Sequence, residues 1–184
     1  MHIIQHRLQQ ARQVPSPNCN ERPAGVAIDL LVIHCISLPP GEFGGPYIEQ
    51  LFENRLNPNE HPYFEQIHQL QVSAHLLIRR DGELVQFVPF DQRAWHAGKS
   101  NFQGRENCND FSIGIELEGT DTGPFEPVQY HVLAQVIQVL LKTYPQLSVP
   151  HIVGHSDIAP GRKTDPGSGF DWSTLHQLLH AVMG

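Results

Sequence analysis

Apolar residues in this chain gather in short runs, separated by stretches rich in proline, glycine and charge. Residues 27–33 are dense in Ile, Leu and Val, the mark of a strand buried on both faces. The run ends at His34. Residues 39–46 (P-P-G-E-F-G-G-P) follow, and their prolines and glycines exclude both helix and central strand. A loop placed directly after a sheet strand is a candidate lid or binding loop. Residues 47–54 and 64–70 predict short helices. Residues 74–79 and 83–88 predict two strands joined at Arg80-Asp81-Gly82, whose Asp-Gly suits a tight hairpin.

Residues 111–118 alternate with period two. Ile113, Ile115 and Leu117 face one side, while Gly114, Glu116 and Glu118 face the other. Glu118 is expected on the solvent face. Residues 128–143 predict the longest helix, with Val132, Val136, Val139 and Leu140 on its apolar side. Residues 149–154 suggest a further strand, and 172–182 a last helix with Asp171 as N-cap. The fold class that follows is α/β (α+β), a single domain with a central mixed sheet flanked by helices. Residues 1–25, interrupted by Pro15, Pro17 and Pro23, are expected to form an irregular arm packed on a domain spanning 26–184.

Composition narrows the function. The 184 residues are 40% hydrophobic, enough for a sizeable core. A formal net charge of -7 argues against nucleic-acid partners, which require clustered Lys and Arg. No apolar run approaches the roughly 20 residues that span a bilayer, so no membrane partner is expected. The first residues lack an apolar stretch with a small-residue cleavage site, so a cytoplasmic location is expected. Three cysteines without a C-x-x-C pair imply reduced thiols rather than a disulfide framework or zinc ribbon. Twelve histidines point instead to metal or proton chemistry.

Two regions concentrate that chemistry. His34 leaves an apolar strand beside a glycine-rich loop, although alone it reads as a hydrogen-bonded core histidine. Residues 154–167 pack His155, Ser156, Asp157, Arg162, Lys163, Thr164 and Asp165 into a segment whose prolines and glycines forbid regular structure. Two His and one carboxylate leave a tetrahedral cation an open position for water, the arrangement of a catalytic zinc site. A solvated turn accounts for this segment equally well. His151 and His155 share helical spacing, but Pro150 disfavours a helix there, and His155 with Asp157 also remains open as a pair. His75, in a strand, is better explained by packing or by support of another residue. On the alternating strand, Gly114 leaves room for a substrate backbone or a metal ligand to approach closely, and Glu116 beside it is placed to take a proton from water. Lys163 is a candidate for stabilising an oxyanion.

Five runs carry a resemblance: I-H-C-I-S-L-P-P-G-E-F-G-G-P (33–46), V-S-A-H-L-L-I-R-R-D-G-E-L-V-Q-F-V-P-F (72–90), R-A-W-H-A-G (93–98), C-N-D-F-S-I-G-I-E-L-E-G (108–119) and G-H-S-D-I-A-P-G-R-K-T-D-P-G (154–167). Together, and in this order, they resemble the AmpD-type 1,6-anhydro-N-acetylmuramyl-L-alanine amidases. The likeness runs from about His34 to Trp172. It implies the zinc amidase fold shared with phage lysozyme-type amidases and peptidoglycan-recognition proteins, so residues 26–184 are the expected amidase domain. It also implies one Zn²⁺ per chain, held by His34, His155 and Asp165. Glu116 falls at the water-activating carboxylate and Lys163 at the oxyanion-stabilising lysine. The implied substrate is a cytoplasmic anhydromuropeptide recovered from wall turnover, cut by a monomer, and by analogy the loop 39–46 and the segment after it are expected to move to open the site.

The chain also departs from that pattern. Cys35 stands where the family commonly has Asn, and Gln71 and Asn107 stand where basic residues commonly bind stem-peptide carboxylates. Arg79, Arg80, Arg93 and Arg105 are candidates to compensate. Cys35, Gln71, Trp95, His96, Ala97 and Asn107 complete the expected substrate-binding set, with core packing an equal explanation for Trp95. A broader wall amidase, a non-catalytic peptidoglycan-recognition module and a structural zinc protein are the other readings. Presence of the whole set His34, His155, Asp165 and Glu116 counts against the last two.

Overall fold

The computed structural model of the chain describes residues 1–183. The arm carries four short strands: β1 (Ile3–Ile4), β2 (Arg7–Leu8), β3 (Arg12–Gln13) and β4 (Cys19–Glu21). β5 (Leu30–Ile36) follows, then the short helices α1 (Tyr47–Phe52) and α2 (Pro62–Ile67). β6 (Leu76–Ile78) and β7 (Leu84–Gln86) form the expected hairpin, pairing Ile78 with Leu84. Gly82 turns it at φ +88°, and its N–H donates to the Arg79 carbonyl at 2.9 Å. β8 (Gln92–Ala94), β9 (Asn101–Phe102) and β10 (Arg105–Glu106) lead to β11 (Ser112–Glu118) and α3 (Pro127–Thr143). The chain closes with β12 (Ile152–Gly154), α4 (His155–Ile158) and α5 (Trp172–Met183).

Six strands make one mixed sheet in the order β12-β5-β11-β6-β7-β3. β5 and β11 lie parallel at its centre, and only β6–β7 is antiparallel. The arm is therefore less irregular than its prolines suggest. β3 adds a parallel edge strand on β7, and β4 pairs with β8. Arg22, just after β4, donates to the carbonyls of Phe90, Asn109, Asp110 and Ser112, stitching the arm to three segments.

Alternation along the central strands separates two faces. Leu31, Ile33, Ile113, Ile115 and Leu117 pack with Leu133, Ile137 and Leu140 of α3 and Leu175 and Leu179 of α5. Each such side chain fully removed from water contributes about 1.5–3 kcal/mol. α3 starts with Pro127 in its first turn, where a missing N–H costs nothing, and Gln129 reaches back to the Glu126 N–H at 2.9 Å. Gln129 also donates to the carbonyls of Ile78 and Glu118, anchoring α3 to the sheet.

The opposite face holds two smaller apolar clusters. One gathers α1, α2, Leu77, Val85 and Phe87, and the other Leu30, Val32, Ala97, Cys108, Phe111 and Ile158. His34 lies on β5 between Val32 and Ile36, which belong to different clusters. The seam between them is where a cleft opens.

Candidate metal centre and its cleft

β12 pairs in parallel with β5, setting Gly154 opposite Ile33. His155, the next residue, opens α4 and so arrives beside His34. Asp157, two residues on, accepts the Gly154 N–H at 2.7 Å and fixes the turn into α4, and it is not among the described residues whose ligand atoms come together here. The loop then returns, held by the Ser156 N–H to the Asp165 carbonyl at 3.0 Å. Its Asp165 side chain completes a triangle. His34 Nδ1 lies 3.0 Å from His155 Nδ1 and 3.0 Å from Asp165 Oδ2, and His155 Nδ1 lies 3.1 Å from the same oxygen. His151 is not part of it, since its Nδ1 meets the Asp29 carbonyl.

The outer nitrogens decide what the inner ones are. His155 Nε2 lies 3.0 Å from the Ala97 carbonyl, which only accepts, so the proton sits on Nε2 and Nδ1 presents a lone pair. His34 Nε2 faces His96 Nδ1 at 2.9 Å. Burial pushes the His34 imidazole down to about 4, against the opposing pull of Asp165, so it is neutral near pH 7. Burial resists ionisation of Asp165, but when an imidazole Nδ1 carries a proton, the contact from His155 or His34 holds the carboxyl well below the usual range. Two imidazole lone pairs and a carboxylate oxygen converging on one point fit a borderline divalent cation such as Zn²⁺.

Glu116 pairs in register with His34 across β11–β5 and points to the same face. It is 9% exposed, and its Oε2 finds no hydrogen-bond partner among the described residues. Burial pushes its carboxyl well above the ordinary value, helped by Asp165 and opposed by Lys163. Lys163 itself is exposed at the rim, its N–H donating to the Ala159 carbonyl at 3.0 Å. Both line a cleft of about 580 Å³ together with His34, His155, Asp165, Cys35, Trp95 and His96. A buried base, a rim cation and a cation site in one cleft can activate water and stabilise the charge it creates.

The remaining expected residues divide. Cys35 lines the cleft and also packs on the main core, where burial first and the nearby Glu116 second raise its thiol. Trp95 is a half-buried cleft wall rather than core, and its Nε1–H donates to Asn20 Oδ1 at 2.7 Å. Gln71 is exposed between Leu70 and Val72, which line the cleft while it does not. Asn107 lies in a neighbouring depression with Lys99, Asn101 and Ile158, joined to the cleft only through Arg162. Ala97 turns its side chain into an apolar cluster and offers its carbonyl to His155 and Arg162.

The space at Gly114 is filled by this chain itself. A Cβ there would overlap the His96 ring, so the close approach is that of His96, not of a bound molecule. Glu118 is not on a solvent face: it is 1% exposed and bonded to Arg79 and to the N–H groups of Gly44 and Arg80. None of the four candidate compensating arginines lines the cleft. Arg79 is held by Glu49, Glu83 and Glu118, Arg80 by Glu126, Arg93 by Asp110, and Arg105 by Asp29. The arginine that does line it is Arg162, tied to the carbonyls of Ala97 and Lys99. Its place next to Lys163 in the sequence was the available signal. His75 behaves as a packing residue, fully buried, with Nδ1 accepting the Gly114 N–H and Nε2 donating to the Gln92 carbonyl.

Residues 24–168 match the family described as N-acetylmuramoyl-L-alanine amidase. The 1,6-anhydro-N-acetylmuramyl-L-alanine amidase AmpD of Enterobacter cloacae is 60% identical over 172 residues, covering 94% of this chain and 91% of that protein. A crystal structure of a selenomethionine AmpD derivative superposes with a TM-score of 0.95 at 57% identity, covering 97% of this chain and 99% of that one. The Escherichia coli amidase AmiD, solved with anhydro-N-acetylmuramic acid-L-Ala-D-γ-Glu-L-Lys, is similar at a TM-score of 0.61 and 29% identity. That likeness covers 86% of this chain and 60% of AmiD.

Proposed function

The chain belongs to the N-acetylmuramoyl-L-alanine amidase family, and on that premise we propose that it is a zinc-dependent enzyme of wall recycling. Its substrate is a 1,6-anhydro-N-acetylmuramyl peptide, cut between the lactyl carbonyl and the L-alanine nitrogen. The observation that carries the reading is the triangle of His34, His155 and Asp165 with an unpartnered buried Glu116 beside it. The substrate class draws support from the relatives, whose names or bound ligands specify anhydromuramyl-L-alanine compounds.

Zn²⁺ held by those three side chains supplies Lewis acidity toward a carbonyl oxygen and toward water. Glu116 takes a proton from the attacking water as the new C–O bond forms. It returns that proton to the alanine nitrogen as the C–N bond breaks, leaving a muramic carboxylic acid, which then loses its proton to the released amine, so that the products are a carboxylate and an ammonium. Its burial leaves the carboxylate poorly solvated and therefore basic, which suits both transfers. Lys163 meets the negative charge that gathers on the carbonyl oxygen. Trp95 offers a flat face to the sugar or the peptide. We assign catalysis to residues 26–184, with the arm as support, acting as a monomer in the cytoplasm. No helix among the described residues is long and apolar enough to cross a membrane.

The test is incubation of zinc-loaded protein with anhydromuramyl tripeptide, followed by mass spectrometry, beside a chelated sample. Free tripeptide and anhydromuramic acid, lost on chelation and restored by zinc, are expected. An uncut substrate in the presence of bound zinc would overturn the reading in favour of a recognition module.

A further inference from the structure

A metal-binding imidazole has two requirements: a lone pair on the nitrogen facing the cation, and an acceptor for the proton on the other. In this chain two consecutive residues meet the second requirement for both histidines. The Ala97 carbonyl receives His155 Nε2 at 3.0 Å, and the His96 ring receives His34 Nε2 at 2.9 Å. Carbonyls and carboxylates are the usual acceptors in this role, and they accept without regard to proton placement. An imidazole can accept at Nδ1 only if its own proton sits on Nε2.

An acceptor for that Nε2 proton is within reach. His96 Nε2 lies 3.0 Å from the hydroxyl oxygen of Ser112, a fully buried residue at the start of β11. The ring is seated over Gly114, where a Cβ would overlap it, and stands at 85° to the His34 ring with centroids 5.0 Å apart. Its backbone is fixed as well. Asn109 Oδ1 accepts both the His96 N–H at 3.1 Å and the Ala97 N–H at 2.8 Å. One buried amide thus holds the two-residue segment that addresses both metal-site histidines.

We propose that His96 is a positioning residue of the metal centre, accepting the His34 Nε2 proton at its Nδ1 while its own Nε2–H donates to Ser112. Its place among groups lining the cleft is secondary to this. The relay commits His34 to the tautomer whose Nδ1 lone pair joins those of His155 and Asp165. With the relay reversed, His96 would donate to His34 Nε2, and His34 Nδ1 would carry the proton instead. The inference rests on the metal centre proposed above.

The test measures zinc affinity by competition with a chromogenic chelator, for wild type, His96→Leu, His96→Gln and Ser112→Ala. Circular dichroism of each metal-free protein accompanies it. Leu removes the acceptor, and a loss of about ten- to a hundred-fold in affinity is expected. Gln restores an acceptor oxygen toward His34 and an N–H toward Ser112, and should recover most of that loss. Ser112→Ala removes only the far end of the relay and should weaken binding several-fold. If His96→Leu does not fold, Ser112→Ala and His96→Gln decide alone. Imidazole ¹⁵N shifts of the zinc-loaded wild type should show His96 protonated at Nε2 and bare at Nδ1. Wild-type affinity in both His96→Leu and Ser112→Ala, equal loss in Leu and Gln, or a His96 protonated at Nδ1 would overturn the inference and leave the metal centre standing. Failure of the wild type to bind zinc would overturn both.

Discussion

His34 and Glu116 stand side by side in register on the two central parallel strands, so the cation triangle and the buried carboxylate share one sheet face. The pairing has a simple origin. Alternation puts Leu31, Ile33, Ile113, Ile115 and Leu117 into the core beneath α3 and α5, which leaves His34 and Glu116 facing the other way. A one-residue slip of either strand would turn its site residue toward the core beneath α3 and α5 and an apolar residue toward the cleft.

Glu116 is the group whose removal should separate binding from turnover. Glu116→Gln keeps the shape and takes away the base. Since it contributes no atom to the triangle, zinc content should stay at one per chain. Proton transfer by a placed side chain contributes about 10²–10⁴-fold, so kcat on anhydromuramyl tripeptide should fall by about that much. Near-normal turnover would remove Glu116 from the mechanism.

Metal removal should be visible in stability as well as activity. A ligand that binds only the folded state stabilises it by about 2.7 kcal/mol at a hundredfold excess over Kd. Wild-type protein should therefore melt lower in chelator than in zinc. Asp165→Ala should show no such gap, because two imidazoles alone lack the third donor and the negative charge. Calorimetry of both proteins with and without zinc reads this directly, and an undiminished gap in the variant would remove Asp165 from the ligand set.

Arg79 and Glu118 form an ion pair whose side chains are 9% and 2% exposed. Breaking such a pair from one side leaves an uncompensated charge, at a cost of about 3–5 kcal/mol. Arg79→Met is expected to lose about that much in urea unfolding. Glu118 also receives the Gly44 N–H at 2.7 Å, and Arg79 donates to the Gly45 carbonyl. Glu118→Gln should therefore speed amide exchange at Gly44 in the loop after β5. Unchanged exchange there would show that the loop is held by other contacts.

Acid stability should depend on Glu49. Hydrogen bonds from Arg12, and then Arg79, hold its carboxyl below the ordinary range against the opposing effect of burial. A carboxyl depressed in the folded state adds stability above its unfolded pKa of about 4.3. That contribution is lost as pH falls through the folded value. Urea midpoints for wild type and Glu49→Gln, measured on metal-free protein from neutral to strongly acidic pH, should differ most near neutrality and converge in acid. A constant difference would show that Glu49 acts by packing, not by charge.

How much of this was legible in the sequence depends on the range of the interaction. The alternation of residues 111–118 and the apolar run before His34 are local patterns, and they placed two candidate site residues on sheet strands. Residues 154–167 announced chemistry, and the family resemblance named His155 and Asp165 among them; spacing alone left His151 and Asp157 open, because the arrangement depends on β12 pairing with β5, which no local pattern encodes. Glu118 looked solvated because its partner Arg79 is 39 residues away, just past the end of β6. The arm strands, two or three residues each, are too short to show a period. Gly114 reads as room for a substrate backbone or a metal ligand, but its occupant is the chain's own His96, brought there by a long-range fold contact that no local pattern shows.

Gly114→Ala tests that contact from the other side. The added methyl would overlap the His96 ring, which also touches His34 and Ser112 and has no free direction of retreat toward the sheet. Overpacking of this kind costs about 1–3 kcal/mol, so the metal-free variant should unfold at lower urea than wild type. The ring can relieve the clash by tilting toward the cleft, and His34 Nε2 would then lose its acceptor. Zinc affinity should accordingly fall in Gly114→Ala together with stability. In the double variant Gly114→Ala with His96→Leu, the further loss of affinity should be small, because both changes break the same contact. Fully additive losses in the double variant would show that Gly114 shapes the site by a route that does not pass through His96.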